Sequence, residues 1–396
     1  MEGYIPSMKT SLSLRGRIMI ILYAIIGILF LCYSYTQVDL GLTLSQASVW
    51  LSVQKWFQHI GYFQRPLSTG LYLGILFVLF LLYGVALLLA YQKKLSTKEV
   101  WMMIGVITIT TCLSYPAFSY DFFNYLFTAK TVLIYHKNPY SVVPLQFTGV
   151  DSWLSFMHWT HLPSAYTPLW IAVTLVPFFF GFGYFLPLMW NLKIVIAIAY
   201  IATAIGIGKI LEKEDKDRMN VGIAAFALNP LIIIECLISP HNDILMMALV
   251  IWAIVLYKEK KKWISWILVS LSIAMKLMTI FLIPAFFTGW KRRIVLCCMS
   301  LGFVAVIFQR EVLSWYWVWM MPFIALVPDL KPLLVLSSGI SMGLLLRYAP
   351  FLYYGNWDHP VPQIKIWVTV VPIAIAFVIS LIMILKTRRI SSKKIE

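Results

Sequence analysis

The strongest constraint on this chain is a succession of long apolar runs, of which Ile18–Tyr35 is the first. Many of them approach or exceed about 18 residues, the length that an α-helix needs to cross a bilayer. Hydrophobic residues make up 61% of the 396 residues and charged residues only 12%. This composition excludes a soluble enzyme, a disordered chain and a secreted disulfide-stabilised protein. The chain is therefore expected to be an all-α polytopic membrane protein.

The basic residues fit a membrane topology better than nucleic-acid binding. The formal net charge is +16, from 32 Lys and Arg against 16 Asp and Glu. Most of these Lys and Arg lie in short stretches between apolar runs, where positive charge marks the cytoplasmic side. No nucleic-acid partner is therefore expected. The five cysteines lie within apolar segments without the spacing of zinc ligands, so we interpret them as small core residues. No cofactor is expected, while the outer carboxylates leave a metal site open.

The same rule predicts that both chain ends are cytoplasmic. Arg15 and Arg17 precede the first apolar run, and a basic tail spans residues 386–396. Ile18–Tyr35 has no small-residue cleavage site after it, so we interpret it as a retained helix and not as a signal peptide. The chain would then be a single transmembrane domain over 1–396, multi-pass in the cell membrane.

The hydropathy predicts about 12 to 14 transmembrane helices. Residues 166–211 must cross from outside to inside with only two apolar stretches, so they contain either a re-entrant segment or three short spans. The run 263–289 has basic flanks and is broken at Lys276, which predicts two antiparallel half-spans that meet at this lysine. The segment 312–328 is expected to form a further span.

Two longer segments, residues 37–69 and 119–165, are predicted to lie outside the membrane. All six histidines of the chain fall in predicted outer segments, together with carboxylates and aromatic residues. Any exposed loop is polar to some degree, but the recurrence of these residue types together favours the outer face as the working face.

A surface helix is predicted to begin at Asp121. Apolar residues follow it with helical spacing, namely Phe122, Tyr125, Leu126, Ala129, Val132 and Leu133. This pattern is typical of an amphipathic helix in the membrane interface. The helix dipole favours a carboxylate in the first turn, so Asp121 either stabilises the helix or acts chemically. A second surface helix is predicted over Asp151–His161.

Three polar features interrupt the later apolar runs. Pro230 breaks the predicted span 219–240, and such a break usually lines a cavity. His241 and Asp243 follow at the outer face, where Pro240–Asp243 forms either a simple turn or part of a site. Lys276 is a costly charge in an apolar run and should face a cavity or a partner.

Several short motifs in this order resemble the GT-C membrane glycosyltransferases. The likeness is strongest to bacterial polyprenol-phosphate-mannose-dependent mannosyltransferases, and it covers about residues 115–290. The motifs are an acidic residue after a span (Asp121), Asn138-Pro139-Tyr140, Tyr166–Leu169, Asn229-Pro230-Leu231, Pro240–Asp243 and Met275-Lys276-Leu277. Three departures from the family pattern are present. The family often has its acidic residue just after the first span, where this chain has Asp39, and two more spans precede Asp121. Pro240 stands where the family usually has Gly, and Met278 stands near a position where a Thr-Pro pair is common.

The resemblance implies an enzyme that transfers a sugar, mannose in the closest family, from a polyprenyl-phosphate donor to an acceptor hydroxyl outside the membrane. The acceptor would be a glycolipid or glycan of the cell envelope. A carboxylate would act as general base in an inverting displacement, and Asp121 is favoured over Asp39 because the other motifs follow it in order. The predicted substrate-binding residues are Asn124, Lys137, Asn138, Tyr140, Tyr166, His241, Asn242, Asp243, Lys276 and Arg310.

The alternative function is a flippase or transporter of lipid-linked sugars without transferase activity. Such a protein should show repeated halves and charges spread through many spans. The sequence shows no such repeat, and ionisable residues within spans are few (Lys193, Glu235 and Lys276). No glycine-rich nucleotide loop is present, which favours a lipid-linked donor.

Overall fold

The computed structural model describes residues 12–392, and within that range it is 75% helical and contains no strand. The basic residues Lys9, Lys393 and Lys394 lie outside the described residues. The prediction of an all-α polytopic membrane protein is confirmed. The α-helices are α1 Leu14–Tyr35, α2 Ser48–Gln58, α3 Arg65–Tyr91, α4 Thr97–Cys112, α5 Asp121–Leu133, α6 Pro168–Phe179, α7 Phe185–Glu214, α8 Met219–Ala227, α9 Pro230–Ile233, α10 Asp243–Lys258, α11 Lys262–Met275, α12 Ile283–Phe287, α13 Arg292–Ile307, α14 Met321–Ala325, α15 Lys331–Leu346, α16 Tyr348–Tyr354 and α17 Val361–Ser392.

Five helical segments are long and apolar enough to cross a membrane: α1, α3, α7, α15 with α16, and α17. A sixth is a bent pair, Lys216–Ala227 and Pro230–Ile238, whose parts differ in direction by 51°. Other apolar stretches form helices of 10–17 residues, such as α6 and α11. Fewer full-length spans are therefore present among residues 12–392 than the hydropathy predicts, because several apolar runs divide into short helices.

The short connections at one end of the bundle are joined by ion pairs, and we call this the basic end. Lys93 Nζ lies 2.9 Å from an Asp217 oxygen, between the α3–α4 and α7–α8 connections. Arg292 Nε lies 2.8 Å from a Glu214 oxygen, which links α13 to the end of α7. The connections that the sequence assigns to one side of the membrane therefore do meet at one end of the structure.

The centre of the bundle is the bent pair, because residues 221–244 are buried throughout. Pro230 has no N–H, so it interrupts the backbone hydrogen bonds of the helix. Asn229 caps α9, which begins at Pro230, by accepting from Leu231 N at 2.9 Å. Nearby carbonyls then need other donors in an apolar interior. Tyr83 and Tyr200 supply them, donating to Ala225 O at 3.1 Å and to Ala227 O at 2.6 Å.

Lys276 lies between the two arms of a helical hairpin, as predicted. The first arm is α11, which ends before Lys276. The second arm is the 3-10 helix Leu277–Leu282 followed by α12. The Trp266 ring centroid lies 3.9 Å from that of Phe286, near the open end of the hairpin. Ser272 Oγ donates to Met246 O at 2.9 Å and accepts from Thr279 Oγ1 at 3.0 Å beside the apex.

The open alternatives for residues 166–211 are resolved in favour of one short helix and one long helix. α6 has 12 residues and α7 has 30. Between them the chain turns, and Asn191 Nδ2 donates to Pro177 O at 3.2 Å. The two helices therefore lie side by side at this end, and three short spans are excluded.

Two predicted helices are wrong. Residues 312–328 do not form a span, but a 3-10 helix, Ser314–Trp319, followed by the five-residue α14. Residues 316–328 are buried inside the protein, so their apolar character serves the protein core and not contact with lipid. Asp151–His161 contains only one 3-10 turn, Ser152–Ser155, because Trp153 and Phe156 both turn inward against Phe185.

The buried Lys193 joins the end of α4 to the centre of the bundle. Its Nζ donates to Thr111 O at 3.1 Å, to Ser114 Oγ at 2.7 Å and to Ile238 O at 3.4 Å. Carbonyls at a helix C-terminus have no intrahelical donor and attract a cation. Lys193 therefore satisfies acceptors at two helix ends.

We expect Lys193→Met to destabilise the protein, because hydrogen bonds to a charged group contribute about 1.5–3 kcal/mol each and the buried carbonyls would lose their donor. The midpoint of thermal unfolding in detergent should fall by several degrees. Lys209→Met is the matched control, because Lys209 is exposed on the same helix. Equal midpoints for the two variants would contradict this role of Lys193.

Candidate active site

The end of the bundle opposite the basic end carries the longest connections, residues 36–64 and 113–167, and we call it the loop-rich end. α5 lies there and begins at Asp121, as predicted. Phe122, Tyr125, Leu126 and Ala129 are all buried on the face of α5 that meets the bundle. This packing holds the first turn of α5, and with it Asp121, against the centre of the protein.

The Asp121 carboxylate does not cap its helix. Tyr120 occupies the N-cap position and makes no capping hydrogen bond with its side chain. The backbone N–H of Asp121 donates to Ser119 Oγ at 3.3 Å, but among residues 12–392 no hydrogen bond to the carboxylate is present. Burial raises the pKa of Asp121, and the nearby charges of His241 and Lys276 oppose this shift only in part.

Asp243 and Lys276 form a buried ion pair beside Asp121. Lys276 Nζ lies 2.6 Å from Asp243 Oδ1, and the lysine side chain is 33% exposed while that of Asp243 is 1% exposed. Trp319 Nε1 donates to the same carboxylate oxygen. Asp243 Oδ2 is buried without a hydrogen-bond partner within the described part of the chain. The Lys276 ammonium group also lies 5.3 Å from the centroid of the Trp319 ring.

His241 is held from both ring nitrogens. Nδ1 lies 3.2 Å from Glu235 Oε2, and Nε2 lies 3.1 Å from Ser119 Oγ. The imidazole stacks on the Trp315 ring at a centroid distance of 4.2 Å. Burial lowers the pKa of His241, but the hydrogen bond and charge of Glu235 outweigh it and raise the pKa. We call Glu235, His241, Asp243 and Lys276 the central cluster.

Ser119 links the central cluster to the first turn of α5. Its hydroxyl meets His241 Nε2 at 3.1 Å and the backbone N–H of Asp121 at 3.3 Å. Glu235 is fixed on its other side by Tyr348 in α16, whose hydroxyl donates to Oε1 at 2.9 Å. The central cluster therefore has a defined position relative to Asp121.

A cavity of about 260 Å³ adjoins Asp121. It lies between α5 and the chain 139–166. Its lining residues are Asp121, Asn124, Phe127, Thr128, Thr131, Pro139, Val142, Pro144, Trp159, Leu162, Pro163, Ser164, Ala165 and Tyr166. Asp121 therefore lines the cavity and is also close to the charges of the central cluster.

The structure gathers most of the predicted site residues in these two places. Asp121, Asn124 and Tyr166 line the cavity. His241 and Asp243 belong to the central cluster, and Asn242 is buried in the turn between them. The Tyr140 hydroxyl donates to the backbone oxygen of Tyr166 at 2.7 Å, so it supports the cavity wall from outside.

The remaining predicted residues lie elsewhere. Asn138 is exposed, and its side chain accepts from Tyr140 N at 3.0 Å in a local turn. Lys137 and Arg310 are exposed, and no side-chain contact joins them to the central cluster in the part of the chain that the structure describes. Asp39 accepts from Gly41 N at 2.8 Å, and its backbone N–H faces the Tyr115 hydroxyl at 3.5 Å. The Asp39 carboxylate also interacts with the side chain of Tyr120, the residue directly before Asp121, and with His158.

Sequence reasoning missed four contributors: Ser119, Trp315, Trp319 and the role of Glu235. A signal for two of them was present in the aromatic run Ser314–Trp319, which the hydropathy assigned to a span. Their contact partners are remote in the chain, as with Trp319 and Asp243 or Tyr348 and Glu235. No group of three or more His, Cys, Asp or Glu side chains suited to a metal ion occurs among the described residues.

Comparison with known proteins identifies the family of the chain. No curated protein and no solved structure matches the chain. A family model described as the N-terminal domain of alpha-(1->6)-mannopyranosyltransferases of the MptA/B type matches residues 22–292, which is more than half of the chain. The matched region includes Asp121, the cavity and the central cluster. The chain therefore belongs to this family, and it is a membrane glycosyltransferase that transfers mannose.

Proposed function

We propose that the protein transfers a mannosyl residue from a polyprenyl-phosphate donor to a hydroxyl group of a glycan or glycolipid acceptor, at the extracytoplasmic face of the cell membrane and with inversion at the anomeric carbon. The observation that carries this proposal is the position of Asp121, which lines the cavity and is close to the charges of the central cluster. Such a position suits a base that serves a reaction between two bound substrates.

Asp121 is the proposed general base. Its carboxylate accepts no hydrogen bond within residues 12–392 and faces the cavity, so an acceptor hydroxyl can approach it directly. Burial raises its pKa, and a more basic carboxylate takes a proton from a hydroxyl more readily. Asp39 differs from Asp121 because its carboxylate already accepts a hydrogen bond from Gly41 N and does not line this cavity.

The central cluster is the proposed site for the donor phosphate. Negative charge develops on this leaving group as the glycosidic bond breaks, and preorganised donors stabilise it. Lys276 Nζ lies 2.6 Å from Asp243 Oδ1, on a side chain that is 33% exposed, and Glu235 raises the pKa of His241 against the effect of burial. Both side chains lie close enough to Asp121 to oppose the rise in its pKa, and neither belongs to the cavity lining.

A lipid-linked donor is proposed because neither the sequence nor the basic end offers a nucleotide site. The connections at the basic end are short, and no glycine-rich phosphate loop is present in the chain. The family match gives no support to a transporter function. A donor whose tail lies among the helices also agrees with a site built within a membrane domain.

The donor class is tested directly with purified protein in detergent. We expect mannose transfer from a synthetic polyprenyl-phosphate mannose to an α-mannoside acceptor, and no transfer from GDP-mannose alone. Mass spectrometry of the acceptor measures both. Transfer from the nucleotide sugar would contradict the donor assignment, and failure with both donors would favour a transporter.

The role of Asp121 is tested by Asp121→Asn. The two residues are nearly equal in size, but the amide cannot accept the proton, and general-base catalysis contributes about 100- to 10,000-fold. Transfer activity should therefore fall by that order, while yield and thermal midpoint stay unchanged. Asp39→Asn is the matched control and should keep near-normal activity. The reverse pattern would move the catalytic role to Asp39.

The orientation is tested by cysteine labelling. In a chain whose five native cysteines are replaced by serine, Val150→Cys lies at the loop-rich end, where Val150 is 73% exposed. A membrane-impermeant maleimide should label it in intact cells, whereas Lys94→Cys at the basic end should react only after lysis. Labelling of Lys94→Cys alone in intact cells would invert the proposed topology.

A further inference from the structure

The cavity beside Asp121 contains no cationic lining residue. Its lining includes neither Lys, Arg nor His, and the Asp121 carboxylate is its single acidic group. A phosphate placed there would meet a carboxylate without a compensating positive charge, which costs free energy in a partly dehydrated site. The occupant of this cavity is therefore an uncharged molecule, and the anionic part of the donor belongs on the side of the central cluster.

Three polar groups of the lining have no partner. Within residues 12–392 no hydrogen bond is made by the side-chain amide of Asn124, the hydroxyl of Tyr166 or the carboxylate of Asp121, although all three line the cavity. The Thr128 hydroxyl, which donates to Asn124 O at 2.7 Å, retains its capacity to accept. The cavity lining therefore offers both hydrogen-bond donors and hydrogen-bond acceptors to a ligand, which suits a ligand with several hydroxyl groups.

Trp159 adds an aromatic face to this polar lining. Its side chain is 55% exposed although it borders the cavity. Its backbone has φ +59°, in the left-handed region that non-glycine residues rarely adopt. Hydrogen bonds from Leu162 N to Trp159 O at 3.2 Å and from Leu145 N to Thr160 O at 3.0 Å hold this turn. Strain of this kind persists where the surroundings impose it, often at ligand sites.

We propose that this cavity is the acceptor subsite, that its occupant is an uncharged pyranose ring, and that Trp159 is the surface on which that ring stacks. The proposal rests on the proposed transfer reaction and names the acceptor side of the same site. One face of a pyranose presents C–H groups to the aromatic ring, while its hydroxyls meet Asn124, Tyr166 and Asp121. The acceptor hydroxyl that contacts Asp121 is the nucleophile. Its oxygen bonds to the anomeric carbon of the donor, and its proton passes to Asp121. The bond between the anomeric carbon and the phosphate oxygen breaks, and the phosphate leaves with its electron pair.

The cavity volume limits the size of the bound unit. Pockets for drug-sized ligands usually measure about 300–1,000 Å³, and this cavity measures about 260 Å³. It therefore holds the terminal ring of an acceptor, and the rest of a longer glycan extends outward past Trp159 and the prolines at the rim.

The test compares Trp159→Leu and Trp159→Phe with the wild-type protein. Leucine keeps an apolar side chain but removes the flat ring, and aromatic stacking contributes about 0.5–1.5 kcal/mol beyond burial. We expect Trp159→Leu to raise the KM for an α-linked mannose disaccharide up to about tenfold, with kcat and the donor KM unchanged. Trp159→Phe should restore most of the acceptor affinity. Trp50→Leu is the matched control, because Trp50 is 63% exposed on α2 and does not line the cavity.

Direct binding separates this inference from the proposed reaction. Isothermal titration without donor should detect the disaccharide, but not its 6-phosphate, and Trp159→Leu should weaken the binding. That result would support the subsite even if no transfer were found. Equal binding of the phosphorylated disaccharide, or an acceptor KM unchanged in Trp159→Leu while the enzyme is active, would overturn the subsite and leave the transferase function intact.

Discussion

The turn that connects the bent central helices to α10 carries His241 and Asp243 into the interior, where a charged group without a partner is strongly unfavourable. The contacts that compensate these two charges involve segments distant in the chain. Asp243 pairs with Lys276 from the α11–α12 hairpin and with Trp319 from the 3-10 helix, and His241 pairs with Glu235, which Tyr348 of α16 supports. The need to compensate these charges thus fixes three distant segments around one point.

The break at Pro230 allows this arrangement within a membrane domain. A continuous helix would satisfy its own backbone, but the broken one exposes carbonyls that hydrocarbon cannot solvate. Tyr83 and Tyr200 donate to carbonyls just before the break. Lys193 donates to the carbonyl of Ile238, at the end of the bent pair. Irregular backbone at this position is therefore stabilised by the protein itself, and the polar turn 239–242 can follow it.

Asp121 belongs to a cavity without cationic lining residues and is also close to charged side chains. The cavity lined by Asn124 and Tyr166 includes no Lys, Arg or His, whereas Lys276 and His241 act on Asp121 from outside this lining. A transferase needs this separation, because an uncharged hydroxyl acceptor and an anionic leaving group must approach the same carbon from opposite directions. The proposed mechanism assigns the acceptor to the cavity, the donor phosphate to the central cluster and the proton transfer to Asp121.

The sequence by itself determined the membrane class, the helix that starts at Asp121, the bend at Pro230 and the hairpin with Lys276 at its apex, since these depend on local periodicity and on residues that break helices. Only the tertiary structure decided that residues 312–328 belong to the core and that Trp319 meets Asp243. Hydropathy measures only how apolar a segment is, and a segment that faces lipid can be as apolar as one that is buried in the protein. The partners of a buried charge are chosen by three-dimensional proximity, so spacing along the chain does not reveal them.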